Sequence, residues 1–263
     1  MTGSVLSSGV ESALEGRVIM LGDSHVRAFS THAAVIPVFL GPGKQLNFLS
    51  EANAISTRRR VERAICRCPV TAQPAVSFGE AVCRYLLGRG WHLERVGHTP
   101  ARVETTLMSE ARQLVNLLSS LADDHDRVID LLLPPASLRR QQTELHRTFN
   151  DYVKHACRNT RLRALDPFVM GDWGQTGPRD WYIDAIHCGD RFAEMVTRNF
   201  WAEKAWPAIR AEADLWPAEL PGCDWLEPDS LFRCYRLRAW GESLPIGVHE
   251  RFVRRWRRVF RFW

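Results

Sequence analysis

The sequence predicts an α/β domain built on a mainly parallel sheet, and three observations carry that expectation. Short apolar, partly β-branched runs alternate with longer segments whose apolar residues recur at helical spacing. Each run is stopped by glycine or proline, the residues that punctuate strand ends. The first run passes straight into Gly22-Asp23-Ser24-His25. This places reactive side chains at the carboxyl end of a strand, where ligands bind in open parallel sheets.

The elements follow in order. Residues 17–21 (RVIML) read as a short buried strand ending at Gly22, with a helix expected after it. Residues 35–40 (VIPVFL) read as a second strand, ended by Gly41-Pro42-Gly43. Residues 55–67 suit a helix with one apolar stripe, Ile55, Val61, Ala64 and Ile65. Residues 74–79 (PAVSFG) read as a third strand, with Pro74 tolerable at its first position. Leu107, Ala111, Leu114, Leu117, Leu118 and Leu121 mark a helix over 105–122. A fourth strand at 127–134 is cut by Pro134 and Pro135. A long helix follows at about 138–158, then a short strand at 161–165 and a last helix at 192–206.

Length and composition set the bounds. A chain of 263 residues accommodates one large domain plus an appendage. Residues 1–206 are assigned to the α/β domain, whose strand–helix pattern starts near residue 15. Beyond it the character changes: prolines recur at 207, 217, 221, 228 and 245, and tryptophans at 216, 225, 240, 256 and 263. Residues 207–263 are therefore expected to form an extension that packs on the domain. The hydrophobic share of 45% and charged share of 25% are those of an ordinary globular protein. No run approaches the roughly 18 to 20 apolar residues of a membrane span. The first residues have neither the basic start nor the apolar core of a secretory leader. Seven cysteines, an odd number with no paired CxxC knuckles, suggest free thiols in a reducing compartment, hence a cytoplasmic protein.

Ser24 is the candidate nucleophile, because a turn after a strand can present its hydroxyl to a substrate. Such a hydroxyl attacks only when a neighbouring base takes its proton. The alternative role for Ser24 is to cap a helix. The candidate base lies in WYIDAIHCG, residues 181–189. Asp184 and His187, three apart, share one side of a helical turn or tight loop. There the carboxylate can fix the imidazole's tautomer and stabilise its protonated form. Asp23 is expected to shape the loop through backbone N–H groups, and His25 to be a polar residue at a helix start.

These two blocks, Gly22-Asp23-Ser24 and Asp184-x-x-His187, resemble the SGNH/GDSL hydrolase superfamily over roughly residues 17–200. The resemblance implies a flavodoxin-like three-layer domain that cleaves or transfers acyl groups through an acyl-serine, with carbohydrate or other small esters as substrates. It implies Ser24 as nucleophile and first oxyanion donor, His187 as general base and Asp184 as its partner. It implies a glycine donor after the second strand, Gly41 or Gly43, and no metal or organic cofactor. The family's third block, GxND, aligns with Gly79-Glu80-Ala81-Val82, so an alanine stands where an asparagine donates a hydrogen bond. Glu80 and Arg84 are the polar groups left near that position, candidates for substrate binding: Arg84 can replace the missing donor or bind an anionic substrate group, and an ion pair between the two on a helix's first turns is the simpler role.

Other readings stay open. An acyltransferase would use the same site with an alcohol in place of water. Asp23-x-His25 with Gly97-His98-Thr99-Pro100 matches fragments of two-metal phosphoesterases, but no second Gly-Asp or Gly-Asn-His occurs between residues 26 and 96. The tail, RFVRRWRRVFRFW (251–263), has arginines for phosphates, and Phe252, Val253, Trp256, Val259 and Phe260 fall on one helical face. Such a segment suits a polyanion, a membrane surface or a partner protein, which keeps open a catalytically weak binding module. A terminal helix docked on its own domain is the plainest role for it.

Overall fold

The computed structural model describes residues 16–29, 32, 34–39, 61–62, 64–66, 68, 70–83, 86, 100–171, 173, 176–183 and 187–201. Five parallel strands form one sheet: β1 (Val18–Gly22), β2 (Val35–Phe39), β3 (Gln73–Ser77), β4 (Ile129–Leu132) and β5 (Leu162–Leu165). Their spatial order is β2-β1-β3-β4-β5, with parallel registers throughout, Gly22 opposite both Phe39 and Ser77. That is the flavodoxin-like doubly wound arrangement. The α-helices described over their full length are α1 (Pro100–Asp124), α2 (Arg140–Ala156) and α3 (Asp190–Phe200).

Strand alternation builds the layers. Every residue of β1 is buried, as expected of a strand covered on both faces. Ile19 and Leu21 join one apolar cluster with Val61, Ile65, Leu114, Leu118, Phe149 and Val153. Val18 and Met20 join a second with Phe29, Trp181, Phe192 and Val196. α1 and α2 therefore cover one face, while α3 and the segments around Phe29 and Trp181 cover the other. Each fully buried aliphatic or aromatic side chain contributes about 1.5–3 kcal/mol. Pro74 is the second residue of β3, not its first, and is still tolerated. Pairing with β4 begins only at Ala75, so no hydrogen bond to β4 is lost.

The expected elements shift at several ends. The segment after β1 is a six-residue 3-10 helix, Ser24–Phe29, rather than an α-helix. α1 begins at Pro100, with an exposed first turn. Of the last helix, expected over 192–206, the described part runs Asp190–Phe200, and residues 202–206 lie outside the described residues. Trp201 turns away into extended backbone, and its indole Nε1 donates to Asp130 at 2.8 Å. Of the helix expected at 55–67, residues 61, 62 and 64–66 are described and are helical. The extension at 207–263, including its basic tail, lies outside the described residues. Among the described helices none is long and apolar enough to cross a membrane.

Candidate active site

Gly22 ends β1 where no side chain fits. A Cβ there would lie 2.5 Å from the Ser77 carbonyl oxygen and 2.6 Å from Val26 Cγ1. This close approach lets the chain turn sharply at the sheet's carboxyl edge. Asp23, 4% exposed, braces the turn. Its Oδ1 accepts from the His25 backbone N–H at 2.9 Å and lies 2.9 Å from His25 Nδ1. Ser24 is the first residue of the 3-10 helix between them.

His25, the second residue of that 3-10 helix, stands at a helix start as expected. It is buried, and its Nε2 lies 3.7 Å from Glu80 Oε2. Two carboxylates thus face the two nitrogens of one ring. Glu80, also buried, is carried by the helical residues that follow Gly79, whose φ of +121° suits glycine and where a Cβ would meet Phe149 at 2.5 Å. Glu80 Oε1 accepts from Gln142 Nε2 at 2.9 Å. The same Gln142 nitrogen lies 3.4 Å from His146 Nε2, and His146 Nδ1 lies 2.6 Å from the Pro135 carbonyl. A carbonyl only accepts, so His146 carries its proton on Nδ1 and its Nε2 takes the second Gln142 hydrogen. A continuous buried polar chain therefore runs from the turn after β1 to α2.

The described residues on either side of 184–186 are joined to one another. Tyr182 and Cys188 form an antiparallel bridge. The Ile183 N–H donates to the His187 carbonyl at 3.0 Å, and the Gly189 N–H to the Trp181 carbonyl at 2.7 Å. The Tyr182 hydroxyl donates to the Ala136 carbonyl. Burial, reinforced by Cys188 and Glu80, pushes this phenol well above its ordinary range, so it remains a donor. The His187 ring lies 5.5 Å from the His25 ring, centroid to centroid, with the planes tilted by 32°. His187 is half-buried.

A cavity opens beside His25, with Cys188 but not His187 in its lining. Its walls include Asp23, His25, Glu80, Phe29, Leu132 and Phe192. Its volume is about 20 Å³. A second narrow pocket continues along His25, Glu80, Gln142, His146 and Tyr182.

The structure thus brings Asp23, His25, Glu80 and His187 together beside the backbone of Ser24. Asp184, Gly41, Gly43 and Arg84 lie outside the described residues, as does His98. Ala81, at the third-block asparagine position, is half-buried, and it is Glu80 that lines the cavity. Gln142 and His146 were not singled out from the sequence. The one available signal was Gln142 and His146 at helical spacing on an otherwise ordinary amphipathic helix, which does not reveal that they face a buried carboxylate. Among the described residues no group of three or more histidine, cysteine or carboxylate side chains is arranged to hold a metal ion. The described cysteines, Cys66, Cys68, Cys83, Cys157 and Cys188, are free thiols.

No family model matches the sequence, and no curated protein matches it. Among solved structures, the chain is similar to the lipase Lip_vut3 from a goat rumen metagenome, with 13% identity and a TM-score of 0.47 over 70% of this chain and 95% of that one. It is also similar to a catalytic mutant of Axe2, an acetylxylan esterase from Geobacillus stearothermophilus, with 11% identity and a TM-score of 0.43 over 75% and 99% of the two chains. A second form of that acetylxylan esterase gives 14% identity and 0.41 over 74% and 99%. Likenesses this distant leave the chemistry to be argued from the site itself.

Proposed function

We propose that the chain is a serine acyl hydrolase of the SGNH type, with Ser24 as nucleophile, His187 as general base and Asp184 as the carboxylate that orients it. One observation carries the reading: two segments far apart in sequence meet at the carboxyl edge of the sheet, where the His187 ring packs 5.5 Å from the ring of His25, the residue after Ser24.

In the proposed cycle, Ser24 Oγ adds to the ester carbonyl while its proton passes to a ring nitrogen of His187. The tetrahedral intermediate collapses by breaking the bond to the alkoxy oxygen, and the departing alcohol takes that proton. Water then attacks the acyl-serine by the same route, releasing the acid and restoring Ser24. The Ser24 N–H serves as one oxyanion donor. Ala81 supplies no side-chain donor, a lack that typically costs about 100- to 1000-fold in rate. The expected enzyme is therefore slow rather than inert.

Hydrolysis of p-nitrophenyl acetate by the full chain tests the reading. Turnover should fall by about 10⁴-fold or more in both Ser24→Ala and His187→Gln. A folded wild type without turnover, or a Ser24→Ala variant as active as wild type, rejects it.

A further inference from the structure

His25 takes no part in the cycle above, yet it is buried and clamped beside the proposed base. We propose that His25 is a positioning residue: its held imidazole is the platform on which the His187 ring rests, and so registers the base against the turn that carries Ser24. This role rests on Ser24 being the nucleophile and His187 the base.

Three segments hold the ring of His25. In the turn after β1, Asp23 Oδ1 accepts from the His25 backbone N–H at 2.9 Å and lies 2.9 Å from the ring Nδ1. A carboxylate only accepts, so Nδ1 carries a hydrogen. One oxygen therefore fixes both the backbone of His25 and the angle of its ring, a torsion that rotamer preference alone leaves broad. After β3, Glu80 presents its Oε2 to the ring Nε2 at 3.7 Å. Glu80 is held in turn from α2, where Gln142 Nε2 donates to its Oε1 at 2.9 Å. Both ring nitrogens of His25 thus face carboxylates, an arrangement that suits holding a position rather than taking the serine's proton.

Against this fixed ring lies His187, which reaches the site from the other end of the domain. The centroid separation of 5.5 Å falls in the roughly 4.5–7 Å range of packed ring pairs. His25 is covalently next to Ser24, so a base resting on it is registered to the nucleophile's own turn rather than across the whole sheet. Misplacing a reacting group by about 1 Å costs on the order of 100-fold in rate. Without the His25 ring, the imidazole of His187 loses this surface and turns more freely about its own side-chain torsions.

A double-mutant cycle on the full chain tests this, read as kcat and KM on p-nitrophenyl acetate and as the rate of fluorophosphonate labelling of Ser24. His25→Ala should lower kcat and the labelling rate by about 100-fold, with KM little changed. In a His187→Gln background the same substitution should lower labelling by no more than about 2-fold, because its effect passes through the base. His25→Asn keeps an N–H for Asp23 and lacks the ring. It should lose as much rate as His25→Ala, and it serves where the alanine variant does not fold. Equal losses in the two backgrounds would make His25 a structural residue only. A His25→Asn rate near wild type would give the role to the Asp23 bond. Either result overturns the platform and leaves the serine hydrolase intact. No labelling of folded wild type, or a His187→Gln variant that labels as fast as wild type, removes the base assignment and this role with it.

Discussion

Gly22 shows how one atom can decide a turn. With 2.5 Å between a Cβ and the Ser77 carbonyl oxygen, Gly22→Ala must push β1 and β3 apart. It should cost about 1–3 kcal/mol, read as a lowered denaturation midpoint, and should also displace Ser24. Glu110 makes a second residue-scale case. It sits 1% exposed on α1, among the described residues its Oε1 finds no hydrogen-bond partner, and burial raises its pKa from 4.5 to about 7. The folded state holds this proton more tightly than the unfolded chain. The residue's contribution is therefore fully favourable below about pH 4.5 and is lost as pH rises through about 7. Glu110→Gln should remove that loss, so the variant should melt higher than wild type at pH 8, with the gap shrinking toward pH 5. Thermal melts across that range would measure it, and parallel curves would exclude a role for the carboxyl. His25 belongs at this scale too. The sequence shows it only as the residue after a serine. Its importance comes from Glu80 and His187, which tertiary structure alone places beside it.

Elements end where tertiary contacts outweigh local propensity. The apolar pattern after Phe200 would support another turn of α3, yet Trp201 leaves the helix and donates to Asp130 on β4. Arg163 on β5 reaches the same carboxylate through two hydrogen bonds of 2.8 and 2.6 Å. Asp130, 0% exposed, thus ties two strands to the end of the last helix. Removing its cation should expose the cost of a buried charge: Arg163→Met is expected to destabilise by about 3–5 kcal/mol. Arg163→Met combined with Asp130→Leu should recover most of that loss in urea denaturation. If the double variant is as unstable as the sum of the single ones, the pair is not the clamp described. The start of α1 was illegible for the opposite reason. Pro100, Ala101, Arg102 and Glu104 are exposed and carry no apolar stripe to announce a helix.

Across the whole molecule, the parallel sheet was readable because strands buried on both faces leave plain apolar runs, and because Gly22, Pro134 and Pro135 mark their ends. The candidate site was readable only in part. Gly-Asp-Ser-His and Asp-x-x-His have local signatures, whereas the buried chain from Asp23 through Glu80 and Gln142 to His146 joins three segments that share no motif. That chain rigidifies the turn that carries Ser24. Gln142→Leu leaves Glu80 without this donor and should cost about 1–3 kcal/mol. It should also lower kcat more than it raises KM, a split that esterase kinetics would reveal; a pure stability loss would make the chain structural only. The most direct test of the whole account is to treat the full chain with a fluorophosphonate and map the adduct by peptide mass spectrometry. The account predicts one adduct, on Ser24, formed slowly in His187→Gln and not at all in Ser24→Ala. An adduct on another residue, or none on folded wild-type protein, would contradict it.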